Sequence, residues 1–126
     1  MSSIDRSRKP YDLLVWGASG FTGRLVAIYL AQNAPADLVW ALGGRNNSKL
    51  QAIASELQSL NPSMQRAPSI VVGDANDAAS CARAIVSTAG PFYLYGEALI
   101  QACIQHGCDY CDITGETLWV HNMIQK

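Results

Sequence analysis

Short apolar runs recur along the chain, and most of them stop at glycine. Leu13–Trp16 and Leu38–Leu42 are unbroken apolar stretches ending on glycine, as strands buried on both faces of a sheet do. Ile70–Val72 closes on Gly73-Asp74, Ile85–Thr88 closes on Ala89-Gly90-Pro91, and Tyr110–Ile113 makes a fifth strand. Between these runs the spacing becomes helical. Arg24–Asn33 carries Leu25, Val26, Ile28, Tyr29 and Leu30 and reads as a well-covered helix that ends before Pro35. Behind Ser48 as N-cap, Leu50, Ile53, Ala54, Leu57 and Leu60 form one apolar stripe that stops at Asn61-Pro62. Glu97–His106 turns Leu99, Ile100, Cys103 and Ile104 inward and meets Gly107 where a left-handed residue belongs. Thr117–Lys126 begins a last helix.

Strands alternating with helices in this way predict parallel β-α-β units with right-handed crossovers. The expected architecture is α/β, a Rossmann-type three-layer parallel sheet with strand order 3-2-1-4-5. Its domain is expected to span residues 11–126 behind a disordered tail at 1–10, which has little to bury. One crossover is abnormal. Nine residues separate Asp74 from Ala84, fewer than the roughly 10–12 that such a connection takes. Asn76–Arg83 therefore offers two helical turns at best, and thin packing is expected on that face.

The strongest chemical signal is Gly17-x-x-Gly20-x-x-Gly23, set between a buried strand and a helix. A pyrophosphate is drawn to unpaired amides at the positive end of a helix dipole. Side chains must be absent for the main chain to come that close. Gly17, Gly20 and Gly23, with the Phe21 turn between them, are the predicted contacts, and the Ser19 and Thr22 hydroxyls can bond phosphate or cap the helix. The spacing departs from G-x-G-x-x-G by one extra residue. At the end of the second strand, where a site for the unphosphorylated cofactor carries a carboxylate, stands Gly43-Gly44-Arg45. An arginine there pairs with a 2′-phosphate and stacks on adenine, and Lys49 adds charge one turn later. NADP(H) is thus the expected cofactor, in preference to NAD(H). Asp74 is placed either to accept from the adenine amino group or to cap the helix after it. Ala89 and Gly90 end the fourth strand, where the cofactor's ribose and nicotinamide would cross the sheet.

Composition narrows the field without adding a site. The 126 residues are 49% apolar and 15% charged, enough to build a core and too apolar for disorder. A net charge of −1, with the early basic residues scattered, gives no reason to expect nucleic acid as a partner. A polar N-terminus and four cysteines without a disulfide-like spread point to a reduced, cytoplasmic setting. Cys103, His106, Cys108 and Cys111 carry the residue types of a zinc site, yet Cys108 and Cys111 point to opposite faces of an extended segment. No metal is expected. No Ser-His-Asp set, carboxylate pair or Tyr-x-x-x-Lys dyad is readable, so the catalytic residues stay unassigned.

Four blocks in order resemble the N-terminal part of saccharopine dehydrogenase-like oxidoreductases, a group that includes trans-acting enoyl reductases of lipid biosynthesis. They are Val15–Gly23, Ala41–Arg45, Ser87–Phe92 with Tyr95-Gly96, and Asp109–Glu116. The resemblance implies a Rossmann NADP-binding domain that holds its cofactor for hydride transfer to an amino-acid-derived or lipid substrate. It also implies Arg45 and the glycine turn as cofactor contacts, and residues 115–116 at the edge leading toward a substrate domain. Family members are several times longer, and their third crossover is longer too. The substrate-binding and dimerising region, with the last strand of the nucleotide domain, would follow position 126 and leave the sheet incomplete there. Little turnover is then expected of this chain alone, and its fifth strand would offer an unpaired edge for self-association. Association with a membrane or lipid surface rests on the resemblance only. The alternative reading is a non-catalytic dinucleotide sensor, or a truncated product with no turnover of its own.

Overall fold

The computed structural model describes residues 6–64 and 67–126. Five strands, β1 (Tyr11–Trp16), β2 (Trp40–Gly44), β3 (Ser69–Val72), β4 (Ala82–Ser87) and β5 (Asp109–Asp112), alternate with α1 (Phe21–Asn33), α2 (Asn47–Leu60), α3 (Ala75–Cys81), α4 (Phe92–His106) and α5 (Thr117–Gln125). The strands pair in parallel in the order β3-β2-β1-β4-β5. This is the expected doubly wound sheet. Leu14 sits opposite Ala41 on one side and Ile85 on the other, and Ile85 in turn faces Tyr110. The strand order reverses between β1 and β4, which puts the ligand crevice of such sheets above the carboxyl ends of that pair.

Alternation along β1 sends neighbouring side chains into two cores. Val15 joins Trp40, Leu42, Leu50, Ile53 and Leu57 under α1 and α2. Each large aliphatic buried there contributes about 1.5–3 kcal/mol. Leu14 joins Ala41, Ala78, Ala79, Ala82, Ile85, Leu99 and Cys103 under α3 and α4. The second core is made mostly of small side chains, which brings the short α3 close to the sheet. The abbreviated crossover is real: α3 has seven residues, and β4 follows it without a linker.

Several boundaries differ from the sequence expectation. Asn46, not Ser48, caps α2: its side chain accepts from the Lys49 amide at 3.1 Å, and the Ser48 hydroxyl donates to Asn46. Helix α4 starts at Phe92, five residues before Glu97, and Ile104 lies outward with 74% exposure. Ala82 and Arg83 belong to β4, because pairing of Ala82 with Tyr11 overrides their helical propensity. Helix α1 is apolar on most sides yet incompletely covered, with Leu25 and Tyr29 exposed. Gly107 closes α4 in the left-handed region as expected, at φ 64°.

Of the expected tail, Met1–Asp5 lie outside the described residues. Arg6–Arg8 form a 3-10 turn, and Arg6 pairs with Asp109 at 2.9 Å and donates to the Arg83 carbonyl. The Lys9 ammonium donates to the Ala79 and Ala82 carbonyls at 2.9 and 2.8 Å, holding the end of α3 against the approach to β1. Among the described residues the four cysteines are free thiols, Cys108 is buried and Cys111 exposed, and no three His, Cys, Asp or Glu side chains converge as metal ligands. No helix of the described residues is long and apolar enough to cross a membrane.

Candidate functional site

Strand β1 delivers the chain to a bend with almost no side chains. Gly17 takes φ +81°, a conformation that side chains disfavour, and a Cβ there would lie 3.0 Å from the Ala89 amide nitrogen and the Thr88 hydroxyl. Gly23 is the packing glycine: a Cβ on it would fall 2.1 Å from the Gly17 carbonyl oxygen. At Gly20 an added Cβ would meet only the Gly17 carbonyl at 3.4 Å, so this position faces open space. Gly17 thus makes the turn, Gly20 leaves open space and Gly23 lets the helix pack on the strand.

The bend is held from three sides. The Gly17 amide donates to the Gly43 carbonyl of β2 at 3.0 Å, and the Gly20 amide donates back to the Gly17 carbonyl at 3.0 Å. The Thr88 hydroxyl lies 3.0 Å from the Trp16 carbonyl oxygen and 3.2 Å from that of Gly17. Helix α1 starts on Gly20 without a side-chain cap. Its first-turn amides, at Phe21, Thr22 and Gly23, have no partner within the helix. Ser19, Gly20 and Phe21 are exposed beside them, and Thr22 is half-buried.

A cleft of about 570 Å³ opens at this point, between the carboxyl ends of β2, β1 and β4. It brings together Gly17, Ser19, Arg45, Ala89 and Gly90 of the sequence-predicted set. Gly20, Phe21, Thr22 and Gly23 belong to the bend and the first turn of α1 and do not line the cleft. Arg45 is exposed and makes no hydrogen bond or salt bridge among the described residues. Asp74 caps α3: its side chain accepts from the Asp77 amide at 3.0 Å, while Asp77 accepts from the Asp74 amide at 2.9 Å. The Asp77 amide above all, with the Asn76 amide and the charge of Arg45, holds the Asp74 carboxyl below its ordinary range. Asp74 thus caps the helix that follows it.

Sequence reasoning missed the opposite wall. Leu94, Tyr95, Ala98 and Leu99 from α4 complete the cleft, with Trp16, Gly44 and Ala75. The wall starts in a turn that a distant residue supports. Glu116 accepts from the Phe92 and Tyr93 amides at 2.8 and 3.1 Å, which closes the N-terminus of α4. A bare bend, an uncapped helix start and a cationic group at the tip of β2 fit a dinucleotide with its pyrophosphate on the amides.

Comparison with known proteins agrees with this geometry. A lipid droplet localized protein of Caenorhabditis elegans is 36% identical over 123 residues, a match covering 92% of this chain and 29% of that protein. A trans-acting enoyl reductase of Mycobacterium ulcerans is 35% identical over 130 residues, covering 98% of this chain and 29% of the reductase. The chain thus spans about three tenths of the length of these curated relatives. Among solved structures, lactate dehydrogenase from Eimeria maxima with NADH and oxamate superposes with a TM-score of 0.61 at 13% identity. That match covers 84% of this chain and 36% of the dehydrogenase, and it shows the shared fold. The model of the saccharopine dehydrogenase NADP binding domain matches residues 13–125, and the chain belongs to that family.

Proposed function

We propose that residues 11–126 form the NADP(H)-holding domain of a saccharopine dehydrogenase-like oxidoreductase. The observation that carries the reading is the uncapped first turn of α1, set behind a glycine bend and beside a cleft with Arg45 at its rim. Gly17, Gly20 and Gly23 bring the main chain against the pyrophosphate, and Ser19, Thr22 and the Phe21 amide donate to it. Arg45 takes the 2′-phosphate; no carboxylate stands at the tip of β2 to accept from a free 2′-hydroxyl. Asp74 lies near Arg45 at the adenine end. Ala89 and Gly90 give the ribose and nicotinamide a flat surface. When bound, the nicotinamide supplies the hydride chemistry, and the protein supplies orientation and electrostatics.

The hydride acceptor in this reading is an amino-acid-derived or lipid molecule held by the longer protein. The lipid-droplet and enoyl-reductase relatives support the lipid side, a cytoplasmic setting and contact with a lipid surface. β5 lies at the end of the sheet, and its edge, unpaired among the described residues, is the surface for self-association of this chain taken alone. Sedimentation over a range of concentrations tests that last point, and a strictly monomeric chain would remove it.

Calorimetric titration of NADP⁺ against NAD⁺, with wild type and Arg45→Ala, tests the proposal. NADP⁺ should bind more tightly, and the substitution should cost about 1.5–3 kcal/mol of NADP⁺ affinity while leaving NAD⁺ unchanged. Equal loss for both cofactors would remove Arg45 from the 2′-phosphate, and no binding of either would end the reading.

A further inference from the structure

Glu116 holds the start of α4, the helix that forms the cleft's far wall. It lies between β5 and α5, 24 residues from the amide it holds, yet both of its carboxylate oxygens are engaged at the start of α4. The helix has no other cap, because Pro91 at the N-cap position offers no side-chain acceptor. The carboxylate is itself steadied: the Thr114 hydroxyl lies 3.3 Å from Glu116 Oε2, and the Glu116 amide donates back to that hydroxyl at 3.0 Å. One turn on, Trp119 packs on Phe92 with ring centroids 5.9 Å apart. Its indole fills the notch at Gly96, where an added Cβ would fall 2.5 Å from the ring. The segment 114–119 is therefore clamped to the first two turns of α4 by a charged cap and an aromatic contact.

Those turns shape only part of the cleft. Gly90 immediately precedes the capped turn, and Leu94 and Tyr95 follow from it; all three line the cleft. Arg45, on the other rim, hangs on β2 and the start of α2 and shares no support with α4. We infer that Glu116 is a positioning residue for the nicotinamide half of the cofactor, fixing the wall of Gly90, Leu94 and Tyr95 through the amides of Phe92 and Tyr93. A dipole-favoured carboxylate at a helix start is well suited to this, since it sets the axis of the helix and satisfies two donors together. The inference rests on the dinucleotide reading of the cleft.

Two ligands separate the halves. Adenosine 2′,5′-bisphosphate reports on the Arg45 side alone, and NADP⁺ reports on both. In calorimetric titrations of the whole chain, Glu116→Ala should weaken NADP⁺ about tenfold and the bisphosphate less than about twofold. Glu116→Gln keeps one acceptor oxygen and should fall between. Circular dichroism and thermal unfolding establish that each variant is folded, and the glutamine variant carries the test alone if the alanine variant is not. Equal loss of both ligands in a folded variant, or loss of neither, would overturn the inference while leaving the dinucleotide reading intact. If wild type binds neither ligand, the dinucleotide reading fails and this inference falls with it.

Discussion

The N-termini of α1 and α4 stand beside each other, because the strands that deliver them, β1 and β4, are neighbours in the sheet. The chain treats them in opposite ways. At α4 a glutamate from a remote loop occupies the free amides, and aromatic side chains pack around them. At α1 no side chain arrives, and glycines clear the approach. Asn46 caps α2 and Asp74 caps α3, whereas α1 goes without a side-chain cap. α5 also lacks a side-chain cap, but its start has a single glycine beside it, Gly115, where that of α1 has Gly17, Gly20 and Gly23. A vacant helix start therefore becomes informative when its neighbours are filled and its own surroundings are stripped.

Substitution separates the two kinds of glycine at α1. Gly23→Ala should have the largest effect. Its Cβ would fall on the Gly17 carbonyl, where no flexible side chain can yield, so a loss on the order of 3 kcal/mol of stability is expected in chemical denaturation. Gly20→Ala should leave stability within about 1 kcal/mol. The same change should weaken NADP⁺ about tenfold in a titration, because the methyl stands where phosphate must approach. If Gly20→Ala left affinity untouched, the amides of α1 would not be the anion site. Asn46→Ala should cost about 1 kcal/mol of stability, read from urea unfolding, because it empties a filled cap.

The smallest effect is expected at Asp74. Its folded-state pKa lies below the unfolded value, so its contribution is present above the ordinary carboxylate range and disappears as pH falls through the depressed value. Asp74→Ala should thus lower Tm at neutral pH, with the difference closing as the solution is acidified. A gap that persists in acid would mean that charge plays no part in that cap.

The layers of the fold were legible because their signals are local. A buried run stopped by glycine marks β1 whatever lies elsewhere, and the helical stripe of α2 needs only its own residues. The bend was legible for the same reason, since Gly17 and Arg45 each sit directly behind a strand and Gly20 and Gly23 follow Gly17 at a fixed local spacing. What escaped reading depends on partners far along the chain. Phe92–Gly96 is aromatic, glycine-broken and led by proline, so it reads as loop until Glu116 supplies the cap. The cleft wall of Leu94, Tyr95 and Ala98 follows from that unseen turn. Asn46 and Ser48 are both good caps; the choice between them falls to the geometry of the Lys49 amide, which composition does not encode.

Gly43 carries a consequence for how the protein tolerates change. A Cβ there would sit 2.6 Å from Leu14 Cδ2 and 3.1 Å from the Trp16 ring, so β2 offers a socket and β1 the two pegs that fill it. The volume allowed at position 43 is set by its neighbours, and shortening Leu14 is the change that would admit an alanine there. Such paired substitutions are strongly non-additive. Trp16 also forms part of the cleft wall, so the fit between two adjacent strands and the shape presented to a ligand share one indole, and neither can drift far without the other.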